Sequence, residues 1–139
     1  MAGRVAMSIL ALTVAVAAGC GGPIADDELQ RGIETLGATA AEGRLVAQDA
    51  AEDRTKVTFV RVQARALADD AAHEAEKLAD AQAQPGNAHV KSDAVALVQE
   101  IDSVLGDLQV FPADRRTARS VARRLDALSG RADRLSGRL

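Results

Sequence analysis

Apolar residues recur in alternating steps of three and four along most of the chain after residue 28. The clearest series is Val90, Ala94, Leu97, Ile101, Val104, Leu108 and Phe111. A second series is Ala118, Val121, Leu125, Leu128, Ala132, Leu135 and Leu139. A third is Val57, Val60, Ala64, Leu67 and Ala71, with Leu78 one heptad on. A weaker fourth is Leu29, Ile33, Leu36, Ala40 and Ala47, diluted by Gly32, Gly37 and Gly43. This spacing predicts four helices, each with one apolar stripe.

Breaks between these segments follow from local chemistry. The run Gln84-Pro85-Gly86-Asn87 is typical of a turn, and Phe111-Pro112 should end the third helix because proline disfavours helical geometry in the residue before it. Acidic residues 26–28 suit the first turn of a helix. Between the first two segments, Asp53 or Thr55 is a possible N-cap, but no glycine or proline marks a break there.

The sequence therefore predicts an all-α domain over residues 26–139, folded as an antiparallel up-down-up-down four-helix bundle. If residues 26–84 form one unbroken helix instead, the fold is a long two-helix hairpin or coiled coil kinked at Pro112. Both folds pair the second and third segments antiparallel. We expect Phe59 and Phe111 to approach each other and to close one end of an alanine-rich core.

The first nineteen residues have the pattern of a secretory signal peptide. Arg4 is followed by the fourteen uncharged residues 5–18, of which only Ser8 and Thr13 are polar. A basic start and an apolar segment of this length are typical of exported proteins, and the segment is shorter than the roughly 20 residues of a membrane-spanning helix.

The signal-like segment ends at Cys20, the single cysteine of the chain. The run Ala17-Ala18-Gly19-Cys20 resembles the lipobox of bacterial lipoproteins, with alanine at the place where leucine is usual. The resemblance implies lipid attachment to the Cys20 sulfur, cleavage before Cys20, and a lipidated tether over residues 20–25. Two or more acyl chains suffice for stable anchoring. The alternative is ordinary cleavage after Ala15-Val16-Ala17, which would release a protein with a free thiol.

Export and charge narrow the classes of partner. Residues 20–139 carry 16 basic and 20 acidic residues, a net charge of −4, so nucleic acid binding is not expected. The lipobox resemblance implies an exported protein at the outer face of the cytoplasmic membrane. If the cell has an outer membrane, Gly21 after the cysteine resembles the sequence pattern of lipoproteins that are transported to that membrane. Membrane lipid, through Cys20, and an envelope protein are the expected partners.

Acidic and basic residues are distributed unevenly along the chain. Residues 25–53 have a net charge of −6 and residues 113–139 a net charge of +5. In the predicted bundle the first and last helices are antiparallel neighbours, so acids at the start of the first should face Arg131, Arg134 and Arg138. These arginines are either structural ion-pair partners or a surface for anionic lipid or an acidic protein.

Few residues are candidates for metal binding or catalysis. Asp69 and Asp70 share a helix face with His73, and imidazole with carboxylate is a plausible metal-ligand set. Only two histidines occur, and glycine-rich phosphate loops and nucleophilic serine motifs are missing from the sequence. The sequence thus favours a non-enzymatic, cofactor-free envelope lipoprotein with a structural or protein-binding bundle. An envelope protein that binds metal or a small ligand through Asp69, Asp70 and His73 is the alternative.

Overall fold

The computed structural model describes the chain from residue 22 to residue 139, with side chains from residue 26. Four helices make up this part of the chain: α1 (Gly22–Ala51), α2 (Val57–Asp80), α3 (Ala88–Val110) and α4 (Arg115–Ser136). A short 3-10 turn at Pro85–Asn87 joins α2 to α3. The predicted all-α class and the four separate helices are confirmed.

The helices pack antiparallel, with α1 against α4 and α2 against α3 forming the two most extensive contacts. At the end where α1 begins, which we call the proximal end, the Asn87 amide donates to Asp26 at 3.2 Å. At the opposite, distal end, Arg115 pairs with Asp53 at 2.7 Å. Each pair joins segments far apart in sequence, as an up-down-up-down bundle requires. The long two-helix hairpin is therefore wrong.

The break between α1 and α2 depends on Asp53. Its φ of 60° is left-handed, and it is the single non-glycine residue with positive φ in the described chain. The amide of Arg54 donates to the carbonyl of Asp49 at 2.8 Å, and that of Asp53 to Ala50 at 3.2 Å. These two bonds form a Schellman motif, which ends a helix. Asp53 thus terminates α1 instead of capping α2, whose N-cap is Lys56 with no side-chain hydrogen bond. The expected N-cap at Asp53 or Thr55 is wrong.

The turn between α3 and α4 follows the sequence prediction. Helix α3 ends at Val110, with Phe111 as its C-cap. Asp114 is the N-cap of α4, and its carboxylate accepts from the Arg116 amide at 2.8 Å and from the Thr117 hydroxyl at 3.0 Å. The Arg116 amide and the Thr117 hydroxyl stabilise the charged carboxylate and lower the pKa of Asp114 below its usual value.

The core consists of the four predicted stripes. Nearly every stripe residue is buried, including Leu29, Ile33, Leu97, Ile101 and Leu125, each fully enclosed. The stripe of α2 contains one polar residue, because Glu74 stands at a core position between Ala71 and Leu78 and is also buried. The alanine-rich core predicted from the sequence is thus confirmed, apart from the exposed ends of two stripes described below.

The glycines of α1, which dilute its stripe in the sequence, lie at helix contacts. A Cβ atom on Gly37 would lie 3.1 Å from the Cβ of Ala132 on α4. One on Gly43 would lie 2.9 Å from Leu125 Cδ1 and 3.0 Å from Leu105 Cδ2. Glycine therefore permits the close approach of α1 to its neighbours, above all to α4.

Helix α1 begins earlier than the sequence predicts. It starts at Gly22, so acidic residues 26–28 lie about one turn inside the helix and its first turn carries no acid. The helical part of the chain consequently extends four residues toward Cys20, beyond the predicted domain boundary at residue 26.

Candidate functional site

The predicted lipid-attachment site lies outside the described residues. Cys20, the residues of the lipobox-like run and the predicted signal segment 1–19 all precede residue 22. Within residues 22–139, none of the helices combines the length and the apolar character that crossing a bilayer demands. Helix α1 starts two residues after Cys20, so a lipid on that sulfur would join the bundle at its proximal end.

The candidate metal residues lie on the outer surface of α2. Asp69, Asp70 and His73 are all exposed. The nearest carboxylate oxygen to His73 belongs to Glu76, with 3.9 Å between Nδ1 and Oε2. Across residues 22–139, three or more histidine, cysteine, aspartate or glutamate side chains do not converge in a metal-binding group. The structure thus places these residues on one helix and brings no ligand from another helix to them.

The C-terminal arginines do not face the acids of α1. Arg131 pairs with Glu100 of α3, and Arg138 pairs with Asp93 of α3 at 3.5 Å. Arg134 is exposed and forms no ion pair within the described part of the chain. The expected pairing with α1 is therefore wrong, although α1 and α4 are neighbours as predicted. The one ion pair between them, among described side chains, joins Arg44 of α1 to Asp126 of α4 at 3.2 Å.

Three ion pairs join α3 to α4 and to the turn that follows it, and their members recur every seven residues. They are Asp93, Glu100 and Asp107 on α3, Arg131 and Arg124 on α4, and Arg138 two residues after the end of α4. Heptad spacing keeps charged residues on the flank of an apolar seam, as in antiparallel coiled coils. Each exposed pair stabilises by only about 0–1 kcal/mol, but a misaligned or parallel pairing would lose all three. Arg131 and Arg138 therefore act in helix alignment.

The arginines without an ion pair lie mostly at the other end of α4. Arg116, Arg119 and Arg123 are exposed and recur at steps of three and four on its outer face, and none is in an ion pair with another described side chain. They belong to the distal half of the bundle. The structure thus separates the basic residues that hold α4 against α3 from those that remain available to a partner.

A groove runs between α1 and α2 at the proximal end. It has a volume of about 530 Å³ and is lined by residues including Gly32, Thr35, Glu74 and Lys77. The ammonium of Lys77 lies 3.1 Å from Glu74 Oε2. A Cβ atom on Gly32 would lie 2.7 Å from Leu78 Cδ2 and 3.1 Å from Glu74 Oε1, so the missing side chain makes room for both of these buried side chains. The groove holds a charge that is already paired, and its geometry fits a structural role.

The distal end carries most of the exposed apolar surface. The two phenylalanines lie there as predicted, but Phe59 is 49% exposed and Phe111 is 55% exposed. The prediction that both rings are buried and close the core is wrong. Phe111 ends a helix stripe at the C-cap, where no facing helix continues to cover it. Phe59 lies on another side of α2 from Val57, because positions two residues apart are separated by roughly 200° around the helix axis.

A second groove lies at this end, between the start of α2 and the turn from α3 to α4. It has a volume of about 460 Å³ and is lined by Val57, Arg61, Val110, Phe111, Pro112, Ala113 and Asp114.

No protein-family model matches the chain, and neither a characterised protein nor a solved structure matches it significantly. The geometry of the distal end and the sequence before residue 22 therefore carry the functional argument.

Proposed function

We propose that the protein is an exported bacterial lipoprotein whose helical bundle has a structural or protein-binding role in the cell envelope. The observation that carries the proposal is the single cysteine at the end of a signal-like segment, preceded by Ala17-Ala18-Gly19. An unpaired thiol in an exported protein is a liability unless it is used. Lipid attachment uses it, and two or more acyl chains anchor a protein stably.

A non-enzymatic role is supported by where the polar groups lie. The side chains that fill the centre of the bundle are mostly leucine, isoleucine, valine and alanine, packed in one cluster, and the buried carboxylate of Glu74 is paired with Lys77. The carboxylates and imidazoles available for acid–base chemistry lie mainly on outer helix faces. Exposed apolar side chains concentrated at one end are instead typical of protein interfaces. Because α1 begins at the proximal end two residues after Cys20, a lipid on Cys20 would leave the distal end free for a partner.

The anchor is tested by Cys20→Ser in the full chain, expressed in a bacterial host with a C-terminal epitope tag. We expect loss of metabolic labelling by a fatty acid and loss of the protein from the membrane fraction. The control adds Ser103→Cys, on the exposed surface of α3, to the Cys20→Ser variant. This restores a thiol without the preceding Ala17-Ala18-Gly19 and should restore neither property. A Cys20→Ser protein that keeps its lipid label would contradict the proposal.

A further inference from the structure

Exposed large apolar side chains are concentrated at the distal end of the bundle. Within the described chain six such residues are at least 41% exposed: Leu45, Val57, Phe59, Val62, Val110 and Phe111. All but Leu45 belong to the first two turns of α2 or to the end of α3. Single exposed apolar residues are ordinary, but Val57, Val110 and Phe111 line one groove, and such a shared apolar site marks an interaction surface.

The backbone explains why a groove forms there. Pro112 stops α3 at Val110, and the chain then turns to the N-cap of α4 at Asp114. Helix α2 begins at Val57, and its first turn lies beside this turn. Val57, Val110 and Phe111 therefore form the apolar walls of a concave groove that no fifth helix covers in the described chain. Its volume of about 460 Å³ accommodates an apolar side chain from another molecule.

The polar groups beside the groove favour a negatively charged partner. Asp114 lines the groove, but both its carboxylate oxygens already accept hydrogen bonds that cap α4. Arg61 also lines the groove and has no ion-pair partner among the described side chains. Arg65 follows one turn later on the same side of α2, and Arg116 is exposed just after the cap. Asp114 keeps its negative charge, but Arg61, Arg65 and Arg116 outnumber it, so the net charge around the groove is positive and a carboxylate complements it.

We propose that the distal groove binds an acidic segment of another envelope protein, with one apolar side chain in the groove and a neighbouring carboxylate on Arg61. The inference rests on the protein-binding role proposed above and assigns it a site and a partner chemistry. A protein segment fits better than a lipid surface, because the open groove lies at the end of the bundle opposite the start of α1, where the proposed anchor would be attached. The 30 residues of α1 also hold the distal end about 45 Å from the start of that helix, away from the anchoring membrane.

The test is photo-crosslinking of the full chain in its own cells. The photoreactive residue benzoylphenylalanine replaces Val110, which lines the groove and is 66% exposed. The matched control carries it at Val62, which is 65% exposed on α2 and does not line the groove. Mass spectrometry then identifies the crosslinked peptide. We expect one main adduct from position 110, with a protein segment that contains an apolar residue next to aspartate or glutamate, and no such adduct from position 62.

Charge reversal separates specific docking from chance proximity. In the position-110 background, Arg61→Glu should reduce the adduct at least tenfold, and Phe111→Ser should reduce it as well. Arg134→Glu, on the proximal half of α4, is the control and should leave it unchanged. Circular dichroism should show the same melting temperature for all three variants, because each replaced side chain is exposed.

Four outcomes would overturn the inference: equal adducts from positions 62 and 110, an adduct unaffected by Arg61→Glu, an adduct with lipid, or one with a second copy of this chain. The anchor is tested separately, by measuring whether the Cys20→Ser protein stays in the membrane fraction, and this assay involves no crosslinking. If the chain is retained in the membrane but position 110 forms no adduct, the groove proposal is rejected and the anchor proposal is not. Release of wild-type protein from the membrane would reject the anchor alone.

Discussion

Gly43→Ala tests the packing of the bundle at the point where its helices meet. The new Cβ atom would lie 2.9 Å from Leu125 Cδ1 on α4, 3.0 Å from Leu105 Cδ2 on α3 and 3.7 Å from Leu67 Cδ1 on α2. The first two distances are shorter than ordinary van der Waals contacts. Leu125 and Leu105 are fully buried, so neither has open space into which its side chain can turn.

Two opposing effects set the magnitude. In a helix interior, alanine is favoured over glycine by about 1 kcal/mol. An extra methyl group in a packed core costs about 1–3 kcal/mol, because neighbouring side chains or helices must shift. At Gly43 the steric cost should exceed the gain, for a net loss of about 1 kcal/mol. Gly106 in α3 is the matched control, because a Cβ there meets no heavy atom within 4 Å. Gly106→Ala should therefore raise stability by about 1 kcal/mol.

Thermal unfolding, followed by far-ultraviolet circular dichroism, measures both variants in the same chain and buffer. A free-energy change of 1 kcal/mol shifts the melting temperature by about 4 °C in a domain of this size. We expect Gly43→Ala to melt below the parent protein, Gly106→Ala above it, and the two to differ by about 8 °C. If both variants melt above the parent by the same amount, α1 has room for a side chain at residue 43 and the packing argument is refuted.

Substitutions at three further positions test other parts of the structure. Glu74→Met should raise the free energy of unfolding in urea by about 1 kcal/mol, because an apolar side chain replaces a buried charge, and a fall would show that the carboxylate is needed for folding. Asp53→Val should be less stable than Asp53→Gly by about 1–2 kcal/mol in the same titration, because both lose the pair with Arg115 but only valine is strained at positive φ; equal stabilities would contradict the left-handed turn. Asp114→Ala should lower the melting temperature at pH 7, and its difference from the parent should shrink as pH falls below 3.8, since a lowered pKa gives stability that is lost when the carboxylate gains a proton; a difference independent of pH would argue against the cap.

The helices could be predicted from the sequence because burial of an apolar stripe dominates the energetics of a small bundle. The steps of three and four identified nearly all core positions, and Phe111-Pro112 marked the end of α3 through a local steric rule. Asp53 was misassigned because aspartate is favourable both as an N-cap and as a left-handed residue after a helix. The left-handed φ of Asp53 and the two backbone hydrogen bonds from residues 53 and 54 distinguish these roles.

Contacts between helices were harder to predict than the helices themselves. Net charge per segment suggested that the C-terminal arginines face α1, but it ignores which side of each helix a residue occupies. The seven-residue spacing of Asp93, Glu100 and Asp107, matched by Arg124, Arg131 and Arg138, was the signal that would have identified α3 as their partner. The exposure of Phe111 follows from its place at a helix end, which the periodic pattern alone does not show.

The most direct measurement of the proposed function is the intact mass of the protein extracted from the membranes of the cells that make it. We expect a chain that begins at Cys20, with the mass of a diacylglyceryl group added to residues 20–139. Alkaline hydrolysis of the two esters should remove the acyl chains and leave the glyceryl group on the sulfur as a thioether. A third acyl chain, on the amine of Cys20 that cleavage exposes, would also agree with the proposed lipid anchor. A soluble chain that begins at Ala18, after cleavage at Ala15-Val16-Ala17, with no added lipid, would contradict the proposed lipid anchor.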